Sequence, residues 1–213
     1  MTNADRDRML SRRRLIRLGF AVPILLPTAA CSTGPDGSAG LPPAPTTPLP
    51  TTPACADADD PTPDQTEGPY FTTGSPETAR LRTAGMTGAA LTLTGFVVDR
   101  RCRPVARALL DFWQADAAGE YDNDGFTLRG HQYTADDGGF RLETVVPGNY
   151  GGRTRHIHVK AQAPNGPVLT TQLYFPGEPA NRSDGIFDEA LVMDLAADGA
   201  NRRGRFTFVL ATA

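Results

Sequence analysis

The chain has 213 residues, 21 Lys plus Arg against 24 Asp plus Glu, and three cysteines. That length suits one domain of ordinary size. The formal charge is −3 and Lys160 is the only lysine, so the chain lacks the basic footprint that nucleic acid requires.

The N-terminus reads as an export segment. Ser11–Arg12–Arg13–Arg14–Leu15–Ile16 has the form of a twin-arginine signal, followed by the apolar run Leu18–Ala30 and then Cys31. That run is short and broken by Pro23 and Pro27, which argues against a membrane span. Residues 1–30 are therefore expected to be a twin-arginine signal peptide. Cys31, after Thr28–Ala29–Ala30, resembles a lipoprotein box, so it is the expected lipidation site and the only expected membrane contact. Six Arg and two Asp lie in residues 1–30, so their removal takes the formal charge from −3 to −7. The expected product is extracytoplasmic, lipid-anchored or otherwise secreted.

Residues 31–63 hold Cys31 and a stretch rich in Pro, Thr, Ala and Gly that has little to bury. It reads as a flexible tether of polyproline character. Cys55 near its end and Cys102 remain after Cys31, and in an oxidising compartment they are expected to pair as a disulfide.

Residues 64–213 read as the folded domain. Leu91–Asp99, Ala106–Gln114, Gly139–Val146, Arg155–Gln162, Val168–Phe175 and Arg205–Leu210 mix β-branched or aromatic residues with alternation. Turn signals separate them, among them Asp136–Asp137–Gly138–Gly139 and Pro164–Asn165–Gly166–Pro167. Only Asp188–Leu195 looks helical. The expected fold class is all-β, an antiparallel β-sandwich with long loops.

Within this pattern His156 and His158 stand two residues apart on a predicted strand. They project from one face while Ile157 and Val159 face the core. Two imidazoles on one strand face make half of a metal site. His131 offers a third imidazole, which leaves a zinc or copper hydrolase as one reading. Tyr121 and Tyr150 offer phenols instead. Phenolate is a hard anionic donor, and two of them would offset two charges of Fe(III). Taken alone, Tyr121 reads as a tyrosine at the sandwich edge rather than as a ligand. No Gly-x-Ser-x-Gly elbow or phosphate-cradling glycine loop competes with these readings.

Several ordered motifs extend the pattern: Trp113–Gln114–Ala115–Asp116–Ala117–Ala118–Gly119–Glu120–Tyr121, Pro147–Gly148–Asn149–Tyr150, Arg153, and His156–Ile157–His158. With Thr66–Glu67–Gly68–Pro69–Tyr70, Arg129–Gly130, Asp137–Gly138–Gly139–Phe140 and Thr171–Gln172–Leu173–Tyr174–Phe175, they resemble the intradiol ring-cleaving dioxygenases. The likeness runs from about Gln65 to Phe187. It implies a non-haem Fe(III) held by Tyr121, Tyr150, His156 and His158. It implies that Tyr150 leaves the metal when substrate chelates and accepts a catechol proton. Arg153 matches the arginine that stabilises negative charge developing on the ring, and Gln172 a glutamine beside the site. The implied partners are a catechol-type small molecule and O2, and the implied product is a cis,cis-muconate. Five residues separate Tyr150 from His156, fewer than in the protocatechuate enzymes, as in an exported branch of the family. No long helical N-terminal segment of the kind that dimerises catechol dioxygenases is evident, and the sequence leaves the oligomeric state open. A tethered, non-catalytic β-sandwich that binds aromatic ligands is the remaining alternative.

Overall fold

The computed structural model describes residues 60–211. Cys31, Cys55 and the twin-arginine segment lie outside the described residues. Eight strands form two four-stranded sheets: β1 (Ala90–Asp99), β2 (Leu109–Trp113), β3 (Arg129–Tyr133), β4 (Gly139–Val145), β5 (His156–Gln162), β6 (Val168–Tyr174), β7 (Asp194–Asp198) and β8 (Asn201–Leu210). One sheet has the order β4-β1-β8-β7 and the other β3-β2-β5-β6. All pairings are antiparallel except β1 with β8, which run parallel. The expected all-β sandwich forms, with that one parallel pair in an otherwise antiparallel frame.

Alternation builds the core. Leu91 and Leu93 from β1, Leu142 from β4 and Phe208 from β8 face Leu110 and Phe112 from β2, Ile157 and Val159 from β5, and Leu173 from β6. All are almost fully buried. Period-2 geometry then sends His156, His158 and Lys160 to the outer face of β5.

Two elements differ from expectation. Asp188–Leu195 is not a helix. A 3-10 turn covers Glu189–Leu191, with the Asp188 carboxylate accepting the Ala190 N–H at 2.9 Å. Then Asp194–Asp198 forms β7 and turns through Gly199 (φ 60°) to pair with β8. Pairing along the edge of β8 outweighs the helical preference of its alanines. Strand β3 was not expected because Arg-Gly-His-Gln-Tyr lacks apolar alternation. Its inward positions are Gly130 and Gln132, and a Cβ on Gly130 would lie 2.7 Å from Thr78 and 2.8 Å from Leu81.

The outer face of the β3-β2-β5-β6 sheet is covered by a strap that precedes β1. Thr171 Oγ1 donates to the Pro63 carbonyl at 2.7 Å, and Gln65 N–H to the Thr170 carbonyl at 2.8 Å, along the free edge of β6. The strap crosses the sheet and reaches β3, where the Pro76 carbonyl accepts the His131 N–H at 2.9 Å.

Candidate active site

Cross-strand register lines up the outer face beneath this strap. His158 stands between Trp113 on β2 and Gln172 on β6, and His156 stands opposite Tyr174. Both histidines are buried, at 4% and 3% exposure. The His156 Nδ1–H donates to the Thr154 carbonyl at 2.6 Å, which leaves a lone pair on Nε2. That Nε2 lies 3.1 Å from Nε2 of His158 and 3.5 Å from the Tyr121 hydroxyl. Burial pushes the His156 pKa down to about 4 and holds His158 well below the usual histidine range, with His156 adding to the shift. Both imidazoles are therefore neutral at pH 7 and able to ligate a metal.

Two tight loops bring the tyrosines to this pair. Asp116 accepts the N–H groups of Ala118 at 2.8 Å and Glu120 at 3.0 Å through its carboxylate, closing the turn before Tyr121. The Gly148 N–H donates to the Asp116 carbonyl at 2.7 Å. This backbone contact leaves no room for side chains: a Cβ on Gly148 would lie 2.6 Å from Gly119 N, and one on Gly119 2.1 Å from the Asn149 carbonyl oxygen. Tyr121 and Tyr150 consequently meet edge-to-face with centroids 5.3 Å apart.

The short connection after Tyr150 is a two-residue hairpin turn. Tyr150 and Arg153 pair, and Gly151 and Gly152 take φ of 52° and 81°. Two successive positive φ values favour glycine over other residues and suit such a turn. Tyr150 and Arg153 thus stand side by side. Arg153 Nε donates to both Asp184 oxygens, at 2.9 and 2.8 Å, and Nη2 to Gln172 Oε1 at 2.7 Å and the Tyr174 hydroxyl at 3.1 Å. Burial opposes ionisation of Asp184, but the Arg153 hydrogen bond and the N–H groups of Ile186 and Thr154 hold its carboxyl below the ordinary range.

The four predicted ligand residues thus form one cluster, with Arg153 and Gln172 beside it. His131 is not among them. It lies 3.1 Å from the Ser75 hydroxyl and packs on Tyr133. No three His, Cys, Asp or Glu side chains gather into a metal-binding group among the described residues, so the expected alternative of a His131/His156/His158 site is not formed.

The donor set fits a highly charged, hard cation. Burial pushes the Tyr121 phenol far above its usual pKa, and the hydrogen bond to Tyr70, then burial, raises Tyr150. Neither phenol ionises at neutral pH unaided, whereas direct ligation to a trivalent ion removes such protons. The two Nε2 atoms and the Tyr121 hydroxyl already face one another.

Sequence reasoning missed the roles of Tyr70, Asp184 and Arg129. Tyr70 stacks on Tyr121 at 4.5 Å and 15°, and its hydroxyl bonds that of Tyr150. Buried Arg129 donates to the carbonyls of Tyr70 and Asp122, tying the strap to the loop that carries Tyr121. The Thr66–Tyr70 and Arg129–Gly130 motifs were the available signals, but they carried no assigned role.

Comparison with known proteins agrees with this geometry. A family profile described as "Dioxygenase" matches residues 66–210. The dioxygenase domain of a dioxygenase and carbohydrate-binding protein fusion from Streptomyces sp. SirexAA-E is 59% identical, with a TM-score of 0.71 over 72% of this chain and 100% of that one. The 3-chlorocatechol 1,2-dioxygenase of Rhodococcus opacus 1CP is 30% identical, with a TM-score of 0.67 over 74% of this chain and 76% of that one. The protocatechuate 3,4-dioxygenase beta chain of Burkholderia cepacia is 34% identical over 47% of this chain. This chain spans 50% of that relative's length and 58% of the chlorocatechol 1,2-dioxygenase of Rhodococcus opacus. The chain belongs to the intradiol ring-cleavage dioxygenase family.

Proposed function

We propose that the protein cleaves a catechol-type diol between its two hydroxylated carbons with O2, giving a cis,cis-muconate-type product. The observation that carries this reading is the convergence of the Tyr121 hydroxyl and the Nε2 atoms of His156 and His158 beneath the strap. These three residues and Tyr150 would hold a non-haem Fe(III). When bound, that ion would supply Lewis acidity that activates the catechol toward O2.

The chain's own residues supply the rest. Tyr150, ionised when it ligates the ion, would accept one catechol proton at its phenolate oxygen, and the Tyr70 and Tyr150 hydroxyls share a hydrogen bond. Arg153, fixed by Asp184 and Gln172, sets a positive charge beside the catecholate as negative charge develops. The strap, with Trp113 stacked on His158, keeps water from the imidazoles. We also infer that the twin-arginine segment exports the domain, that Cys31 anchors it, and that Cys55 pairs with Cys102.

Oxygen uptake by the iron-loaded protein tests this reading, with a catechol panel and product absorbance in the muconate range. Tyr150→Phe should slow turnover about 10²-fold or more, the range for a positioned proton acceptor. A protein that binds catechols without consuming oxygen would instead be the tethered binding module.

A further inference from the structure

We propose that Lys160 is a positioning residue that clamps the strap over the candidate site, seating Tyr70 against the two tyrosines and Trp113 against His158. It is the only lysine in the chain, and it lies two residues beyond His158 on the same face of β5. Its ammonium pairs with the Glu67 carboxylate and sits 3.7 Å from the centroid of the Phe71 ring. The two contacts bracket the strap residues that meet the site. Between them, a Cβ on Gly68 would lie 3.6 Å from Cε1 of His158, and Tyr70 stacks on Tyr121.

One contact path runs from the ammonium to the imidazole. Phe71 packs edge-on against Trp113 at 4.8 Å, and Trp113 stacks on His158 at 4.7 Å and 9°. The strap is anchored independently at both ends, by Gln65 on β6 and by the Ser75 hydroxyl donating to Asp111 at 2.8 Å. Arg129 holds the Tyr70 carbonyl from the opposite side. Lys160 is the side chain of the sheet face that grips the strap through both charge and ring, so its loss loosens the strap between Glu67 and Phe71 while Gln172 on the Thr66 carbonyl and Arg129 on the Tyr70 carbonyl keep it attached. A cation over an aromatic face gains strength as water is removed, and this side chain is mostly shielded.

Trp113 is the only tryptophan, so its emission reports the seating directly. The experiment uses the full chain as parent, Lys160→Met and Lys160→Arg, metal-free for fluorescence and iron-loaded for turnover. Selective Trp excitation is followed by emission maximum and acrylamide quenching, and catechol turnover is resolved into kcat and KM. Lys160→Met keeps an apolar stem and should red-shift Trp113 emission and raise its quenching about twofold or more. It should lower kcat/KM about threefold to thirtyfold, the range of one such contact. Lys160→Arg keeps the charge and the ring contact and should restore both readouts. Parent-like emission and quenching in Lys160→Met overturns the proposal, and so does an Arg variant as impaired as the Met variant. If Lys160→Met fails to fold, Glu67→Gln and Phe71→Leu are read the same way, and parent-like quenching in both overturns it. The turnover arm rests on the proposed dioxygenase reading and the fluorescence arm does not. A parent without oxygen uptake therefore sinks that reading while the clamp is still decided.

Discussion

At the scale of single residues, burial without charge is what prepares the site. His156 and His158 are neutral because water is excluded from them, and Tyr121 keeps its proton for the same reason. In the metal-free protein this has a pH consequence. The unfolded chain takes up a proton at His156 near pH 6.5, whereas the folded chain does so only near pH 4. Stability is therefore full above pH 6.5 and falls as pH drops through that window, by about 3 kcal/mol from this residue. His158 acts in the same direction. Urea unfolding of the apo-protein at pH 7 and pH 4.5 checks this, and iron should steepen the dependence, because its ligands release protons that the unfolded chain takes back. Replacing either histidine should remove the metal: His158→Ala is expected to retain no stoichiometric iron by metal analysis. Asp184→Asn addresses Arg153 instead. It leaves a mostly buried guanidinium without its carboxylate and should cost about 3 kcal/mol of stability. Its kcat for catechol should fall more than its KM rises, because Arg153 is asked to act on charge that develops during reaction.

At the scale of elements, the strands place the imidazoles and the loops place the phenols. The two glycine-rich loops differ in what they tolerate. At Gly119 (φ 91°) an added Cβ meets the Asn149 carbonyl oxygen at 2.1 Å, so Gly119→Ala should cost about 2 to 5 kcal/mol through strain and overpacking. It should also part the two tyrosines and reduce iron occupancy. At Gly152 (φ 81°) nothing lies within 4 Å, so Gly152→Ala should cost only backbone strain, about 1 to 2 kcal/mol. Denaturant unfolding of the two variants side by side checks the contrast.

At the scale of the whole molecule, what could be read from sequence follows the range of the interactions involved. Period-2 alternation was visible for β1, β4, β5 and β6, and with it the outward projection of His156 and His158. Strand β3 escaped because its inward positions are a glycine and a glutamine, and β7 because its alanines pair only through β8. Arg153 and Gln172 were legible through motif likeness. The Asp184 carboxylate that orients Arg153 lies 31 residues away and carries no motif. Tyr70 and the clamp at Lys160 depend on a strap crossing the sheet, a tertiary arrangement that local pattern does not encode.

We propose that two phenols and two imidazoles of this chain hold ferric iron for ring cleavage. Visible absorption of the purified, iron-loaded protein tests it most directly, read before and after anaerobic addition of catechol. The expected result is a red-brown protein with a broad tyrosinate-to-Fe(III) charge-transfer band that shifts on catechol addition and weakens in Tyr150→Phe. A colourless protein carrying stoichiometric zinc, or a band unchanged by both catechol and Tyr150→Phe, would contradict it.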